Sequence, residues 1–140
     1  MPVKIVSNPA VKSEMAESVR LGLGAVDDRS SGILIHLCDH PLVSTETCKR
    51  LVNAHLSHPL KIVLPVYETR RGHPALFPTS LIRGVLSGGN LKDIIRAHTE
   101  RVESIPVKDQ GTIWDIDSPE DYRRLRANAP SHRRNQGGPI

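Results

Sequence analysis

The chain has 140 residues, of which 38% are hydrophobic and 24% are charged, a size and composition typical of one globular domain with its own core. Aromatic residues make up only 3% of the sequence, which argues against a nucleic-acid surface built by base stacking. No apolar run approaches the roughly 20 residues that span a membrane, and the N-terminus lacks the apolar segment of a signal peptide. We therefore expect a cytoplasmic protein with no membrane partner and no nucleic-acid partner.

The positive charge is unevenly distributed. Much of the net charge of +4 comes from arginines near the C-terminus, in a segment rich in polar residues and glycine. Such a composition cannot bury enough apolar surface to fold. We expect residues 1–126 to form the domain and residues 127–140 to be a basic, disordered tail. The two cysteines form no C-x-x-C pair, and we expect both to be buried thiols.

In chain order, the first predicted element is a short strand at Val3–Ser7, followed by a helix that Ser13 caps and that ends near Leu23. The segment Gly32–Asp39 is apolar almost throughout. This pattern is typical of a strand buried on both faces of a parallel sheet.

The next predicted helix is Thr45–His55, which Ser44 can cap. A strand follows at Lys61–Val66, and its Pro65 indicates a position near an edge or a strand end. The segment Glu68–Phe77 is punctuated by glycine and proline and is predicted to be a loop.

The remaining elements are a helix near Leu91–His98, a strand at Val102–Val107, a strand at Thr112–Asp117 and a final helix that Ser118 caps. Alternating strands and helices predict an α/β fold with a mostly parallel sheet and flanking helices. In such folds ligands bind beyond the carboxyl ends of the strands.

Asp39 lies where that rule places chemistry, because it ends an apolar strand. An aspartate at this point also suits a plain turn before Pro41, with its side chain bonded to nearby backbone amides.

Asp115 and Asp117 flank one residue of a predicted strand, so both carboxylates would point to the same side. Their Cα atoms would lie about 6.5–7 Å apart, and two charges at that distance repel by about 2–2.5 kcal/mol at an effective dielectric near 20. Water or a cation would have to relieve this repulsion. The other interpretation is that one of them faces solvent before the helix cap.

Carboxylates from two strand ends suit Mg²⁺, which prefers oxygen ligands and is often held by one or two carboxylates together with substrate phosphates. A metal in that place can neutralise charge on a transferring phosphoryl group.

The loop Arg70, Arg71, Gly72, His73, Pro74 combines two guanidinium groups, a glycine and an imidazole. Arginine suits phosphate or carboxylate binding, and glycine lets the backbone approach a ligand. The alternative is a basic surface loop. No G-x-S-x-G, Walker-type or G-x-G-x-x-G motif occurs, so hydrolase, kinase and dinucleotide-binding functions lack support.

Three segments, LIHLCDHPLV, IVLPVYETRRGHPALF and WDIDSPEDYRRL, together resemble the molybdenum cofactor cytidylyltransferase family in order and spacing. The resemblance extends from about Val3 to Leu125. It implies a partial nucleotide-diphospho-sugar transferase fold, which is Rossmann-like. It also implies Mg²⁺-dependent transfer of a nucleotidyl group from CTP, or less favoured GTP, to the phosphate of molybdopterin, with release of pyrophosphate.

The resemblance also implies roles for individual residues. Asp39 matches a metal-binding aspartate, in a segment where Cys38 replaces the family's usual glycine, and Asp117 with Asp115 matches the acidic pair that completes the metal site. Asp39 and Asp117 would accordingly be the catalytic pair. By the same resemblance, the segment Arg70–Pro74 would bind the pterin. Ser18 and Gly22 would border the nucleotide.

The sequence departs from the family in two places. Glu14 stands where glycine is frequent, and the signature L-A-A-G-x-S-x-R-x-G, which wraps the triphosphate, does not occur. We therefore expect an N-terminally truncated form with weak or no activity alone. The alternative is a non-catalytic module that binds molybdopterin or a partner such as a client molybdoenzyme.

Without the family's first two strands, the strand Gly32–Asp39 would have an open edge. We expect either homo-oligomerisation through that edge or direct pairing of Val3–Ser7 beside it.

Overall fold

A computed structural model describes residues 3–10, 12 and 14–128. The helices are α1 (Met15–Leu23), α2 (Thr45–Ser57), α3 (Thr79–Ile82), α4 (Leu91–Ala97) and α5 (Pro119–Asn128). The strands are β1 (Gly32–Ile35), β2 (Ile62–Tyr67), β3 (Arg70–Arg71), β4 (Ala75–Pro78) and β5 (Val102–Val107). Short 3₁₀ turns lie at Arg83–Ser87, Thr99–Arg101 and Gln110–Thr112.

The five strands form one mixed sheet with β2 at its centre. Strand β5 pairs with β2 in parallel, β3 and β4 pair with β2 in the antiparallel sense, and β1 pairs antiparallel with β4. Strands β1, β2 and β5 therefore run in the same direction. The α/β class is confirmed, but the mostly parallel sheet is corrected to a mixed one, because β4 lies between β1 and β2.

The antiparallel strands come from the segment predicted as a loop, Glu68–Phe77, which instead forms a hairpin with β2. Glu68 adopts a positive φ of 55° at the turn. The register changes between the pairs Val66–Arg71 and Val63–Leu76, so the partner strand bulges opposite Pro65. A bulge accommodates a residue that lacks a ladder donor. The prediction that Pro65 marks an edge or strand end is therefore wrong, since it lies within the central strand.

Two further predicted strands are absent. Val3–Ser7 has no regular structure, and Val3 and Ile5 are 78% and 86% exposed. Its predicted pairing beside β1 is therefore wrong as well. The segment Thr112–Asp117 leaves a 3₁₀ turn and continues irregularly to α5. Among the described residues, neither segment pairs with a strand of the sheet.

The strand predicted at Gly32–Asp39 is corrected, because β1 ends at Ile35 and Asp39 lies in a turn beyond it. The other predicted elements are confirmed within a few residues, and the two predicted caps that lie within the described residues both form. Ser44 accepts a hydrogen bond from the Thr47 amide. At α5 the Asp121 amide donates to the Ser118 hydroxyl, and the Ser118 amide donates to the Asp121 carboxylate. Ser13, predicted to cap α1, lies outside the described residues.

The core lies on both faces of β2, because successive side chains of a strand point to opposite faces. Ile62 and Leu64 pack with Phe77 against α1, α3 and α4. Val63 packs on the other face with Leu51 of α2. Each such buried side chain contributes about 1.5–3 kcal/mol.

The helix α5 extends to Asn128, two residues past the predicted domain boundary at 126. Residues 129–140 of the predicted tail lie outside the described residues. Cys38 is exposed and Cys48 is half-buried, so the prediction of buried thiols is corrected. Among the helices of the described chain, none combines the length and apolarity needed to cross a bilayer.

Candidate functional site

The segment after β1 and the segment after β5 run side by side. The Ile116 amide donates to the Asp39 carbonyl oxygen at 2.8 Å. Gly111 lies against the backbone of Leu42 so closely that a Cβ atom would clash with it. These main-chain contacts bring the two segments together, and β pairing is not involved.

The carboxylates of Asp39, Asp115 and Asp117 converge at this junction, and we call them the acidic cluster. One oxygen from each lies within 4.8 Å of the others. Asp39 is half-buried, whereas Asp115 and Asp117 are exposed. The closeness expected from the sequence is present, although Asp115 and Asp117 reach it from an irregular segment, not from the strand predicted for them.

The acidic cluster carries unbalanced negative charge. A hydrogen bond with Asp115 and the charge of Asp115 are the main causes that raise the pKa of Asp117, with smaller contributions from burial, Asp39 and Asp121. The Oδ1 atom of Asp39 is buried and has no hydrogen-bond partner among the described residues. An unpaired buried acceptor costs about 1–3 kcal/mol.

These features fit a hard divalent cation. Three carboxylate oxygens supply the ligand type that Mg²⁺ prefers, and the exposure of two of them leaves room for the waters that Mg²⁺ retains. Asp39, Asp115 and Asp117 are the residues that would hold the ion.

Asp109 anchors the segment that carries two of these acids. Its Oδ2 atom accepts hydrogen bonds from the Ser44 amide at 2.8 Å and from the Thr47 hydroxyl at 2.6 Å, and its Oδ1 atom accepts one from the Gly111 amide. Partial burial acts to raise the pKa of Asp109, but the hydrogen bonds from Thr47, Ser44 and Gly111 outweigh it, so this pKa lies below its ordinary value.

The hairpin lies against the other side of the same segment. The His73 amide donates to the carbonyl of the fully buried Thr112 at 2.7 Å, and a Cβ atom on Gly72 would clash with that backbone. Position 72 thus requires glycine because of its close contact with the Thr112 backbone. Pro74 is buried.

Two histidines connect the acidic cluster to the hairpin. His40 is 7% exposed, and its Nε2 atom lies 3.8 Å from Oδ1 of Asp39. The ring centroid of His40 is 4.7 Å from that of His73. Burial, followed by the charge of His40, lowers the pKa of His73, and Asp39 opposes this only in part.

A cavity of about 520 Å³ opens beside the hairpin, and we call it the hairpin cavity. Its floor is apolar and includes Ile35, Leu64, Ala75, Phe77, Leu91 and Ile95. Its polar lining comprises Arg71, Gly72, His73, Lys92 and Arg96. Lys92 and Arg96 are not among the site residues predicted from the sequence, where the available signal was two basic residues four apart on a predicted helix.

A smaller pocket of about 200 Å³ joins the two regions, since Arg70, Arg71, His73 and Asp115 all line it. Ser18 and Gly22 lie elsewhere, in a groove of about 470 Å³ along β1. The Ser18 hydroxyl accepts a hydrogen bond from the Asn8 side chain. The structure therefore groups the residues from Arg70 to His73 with the acidic cluster, buries Pro74, and places Ser18 and Gly22 outside the cluster.

Comparison with solved structures supports this fold. Rv0371c from Mycobacterium tuberculosis H37Rv is 27% identical with a TM-score of 0.67, covering 81% of this chain and 60% of that chain. A structure of Rv0371c described as a complex with manganese is 28% identical with a TM-score of 0.64, covering 79% of this chain and 60% of that one.

The 4-diphosphocytidyl-2C-methyl-D-erythritol synthase from Anaerococcus prevotii DSM 20548 shares the fold at 17% identity, with a TM-score of 0.67 over 83% of this chain and 64% of that one. The chain thus spans about 60% of the length of the Rv0371c structures it matches. None of the curated proteins matches it.

Residues 1–102 match the family described as the MobA-like NTP transferase domain. This match includes Asp39 and the hairpin, whereas Asp115 and Asp117 lie beyond it and join the site through the fold. The chain belongs to the MobA-like NTP transferase domain family.

Proposed function

We propose that this chain carries the metal-binding and acceptor-binding portion of a nucleotidyltransferase. The observation that supports the proposal is the convergence of Asp39, Asp115 and Asp117 within 4.8 Å, next to a hairpin that carries arginines. Membership in the MobA-like NTP transferase domain family supports a nucleoside triphosphate as the donor. The reaction would join the α-phosphorus of the donor to an acceptor oxygen and release pyrophosphate.

The chain's own residues divide the work of this reaction. Asp39, Asp115 and Asp117 would hold Mg²⁺, which when bound offsets negative charge on the triphosphate and on the departing pyrophosphate. The manganese described for the Rv0371c complex is consistent with a divalent ion in this fold. Asp39 and Asp117 would be the two catalytic residues, acting as carboxylate ligands of that ion.

Arg70, Arg71 and His73 would orient the acceptor, since they line the smaller pocket together with Asp115 of the acidic cluster. Arg71 and His73 also line the hairpin cavity. The low pKa of His73 keeps its imidazole neutral at neutral pH, so one ring nitrogen can accept a hydrogen bond from the acceptor.

We further propose CTP as the donor and molybdopterin as the acceptor, in the cytoplasm, with a molybdoenzyme as the client. This choice is supported by the resemblance of the hairpin and of the segment Trp114–Leu125 to the cytidylyltransferases. Ser18 and Gly22 would border the nucleotide from the groove along β1.

A second candidate is a non-catalytic module that binds the acceptor. It is supported by the composition of the hairpin cavity, which is built from the sheet and α4 and does not include the acidic cluster.

The test combines metal binding with turnover. Asp39→Asn should weaken Mg²⁺ and Mn²⁺ binding, measured by calorimetry, by at least about tenfold, because it removes one of three anionic ligands. Asp28→Asn is the matched control. Asp28 is an exposed aspartate outside the acidic cluster, and it forms an ion pair with Arg83. Unchanged metal affinity in Asp39→Asn would contradict the metal site.

Turnover is followed as pyrophosphate release from CTP with molybdopterin and Mg²⁺. Release that Asp39→Asn abolishes and Asp28→Asn leaves intact supports the transferase. Acceptor binding without pyrophosphate release supports the module instead.

A further inference from the structure

The hairpin cavity has an apolar floor and a cationic mouth. Its volume of about 520 Å³ lies within the range of small-molecule sites, which are mostly apolar with a few placed polar groups. Phe77, Leu64 and Leu91 in the floor are at most 7% exposed. Among the residues that the structure describes, no aspartate or glutamate lines the cavity, in contrast to the adjoining acidic cluster.

Two of the cations come from α4. Lys92 and Arg96 lie four residues apart, so they occupy the same face of the helix one turn from each other. Leu91 and Ile95, the residues that precede them, contribute to the floor. The helix thus supplies apolar side chains to the interior and positive charges to the rim.

These cations have no anionic partner within the described chain. Lys92, Arg96 and Arg71 are exposed, and none forms an ion pair or a side-chain hydrogen bond with another described residue. Three unpaired positive charges around an apolar hollow create a local field that attracts an anion.

We propose that Lys92 and Arg96, together with Arg71 of the hairpin, bind the phosphate of the acceptor while the ring of that acceptor packs on the apolar floor. The ligand class is a phosphomonoester that carries an aromatic or apolar ring. This inference rests on the proposed function, because it specifies how the acceptor of that reaction is held.

The test uses phenyl phosphate as a probe, with phenol and inorganic phosphate as its two halves. Phenyl phosphate should bind more tightly than either half. Lys92→Gln and Arg96→Gln should each weaken phenyl phosphate binding by at least about threefold, the effect of losing one solvent-accessible charge contact. Phenol binding should stay unchanged in both variants. Lys49→Gln, an exposed lysine on α2 across the sheet, is the matched control.

No binding of phenyl phosphate would overturn the proposal, as would Lys92→Gln and Arg96→Gln variants that bind it as tightly as Lys49→Gln. Ile95→Ser gives an independent check of the floor, and it should weaken phenyl phosphate and phenol alike while sparing inorganic phosphate. Inorganic phosphate that binds as tightly as phenyl phosphate would contradict a role for the floor.

Failure of this inference is distinguishable from failure of the proposed function. Pyrophosphate release with an acceptor KM that Lys92→Gln and Arg96→Gln leave unchanged would overturn the inference alone. Charge-dependent binding of phenyl phosphate without pyrophosphate release under any condition would support the inference and favour the non-catalytic module over the transferase.

Discussion

The acidic cluster and the hairpin cavity adjoin each other but are built in opposite ways. The cluster comes from irregular segments, two of its three acids are exposed, and it has excess negative charge. The cavity comes from the sheet and α4, its floor is mostly buried, and its mouth has excess positive charge. Each region therefore suits a ligand of the opposite sign. A phosphorylated acceptor and a divalent cation would complete the two regions together.

The largest predicted effect comes from breaking the contact that both regions share. Gly72→Ala should lower the free energy of unfolding by about 2–3 kcal/mol, because its Cβ atom would clash with the Thr112 backbone and the hairpin would have to shift. Urea denaturation measures this change. Gly84→Ala is the control, since a Cβ atom there meets nothing within 4 Å. Equal stability of the two variants would show that the contact is not tight.

A smaller loss of stability is expected when the segment that carries Asp115 and Asp117 loses its anchor at Asp109. Asp109→Asn should cost about 1 kcal/mol at neutral pH, because the Ser44 amide and the Thr47 hydroxyl lose a charged acceptor. The folded pKa of Asp109 is lowered, so its contribution is present above the unfolded pKa near 3.9 and is lost as pH falls through the folded value.

Urea titrations between pH 2 and 6 measure this acid dependence. The wild-type protein should lose more stability than Asp109→Asn as the pH falls over this range. Parallel curves for the two proteins would contradict the anchoring role of Asp109. Phenyl phosphate binding at neutral pH should remain the same in both, because Asp109 does not line the hairpin cavity.

Removing one charge from the acidic cluster should change the stability of the protein slightly, and the sign of that change should depend on whether Mg²⁺ is bound. Asp115→Asn should slightly stabilise the protein in EDTA, since it relieves repulsion with Asp117, and should be less stable than wild type in saturating Mg²⁺. Thermal denaturation with and without Mg²⁺ measures both states. The same sign in both conditions would count against a shared ion.

The weakest expected effect concerns the open edge of β1. Within the described residues β1 pairs only with β4, which leaves its other edge free to pair with a second copy. Hydrogen exchange should show protection of Gly32–Ile35 amides that rises with protein concentration, alongside a sedimentation coefficient that also rises. A single sedimenting species with constant exchange would contradict self-association. The amides of β2, paired on both edges, serve as the control.

Local features could be predicted best from the sequence where the chemistry of a residue type favours a single local structure. The helix caps at Ser44 and Ser118 follow from hydroxyl chemistry, and the strand Val102–Val107 follows from its apolar β-branched content. The hairpin was missed because Gly72 and Pro74 indicated a loop. The bulge that they form is fixed by contact with Thr112, more than thirty residues away in sequence.

The candidate site, too, could be predicted only in part from the sequence. The closeness of Asp39, Asp115 and Asp117 could be predicted, but the reason given for it was wrong, because no strand forms at Thr112–Asp117 and β1 ends before Asp39. The cavity residues Lys92 and Arg96 could not be chosen from the sequence, since their exposure on a helix resembles that of any solvated basic residue. Only the three-dimensional placement of α4 beside the hairpin distinguishes them.

The bond from the Ile116 amide to the Asp39 carbonyl joins main-chain atoms. Exchanging either side chain leaves both bonding atoms in place, and a proline at position 116 is the replacement that removes the donor outright. The spacing of the acids therefore does not depend on the identity of most side chains around this bond.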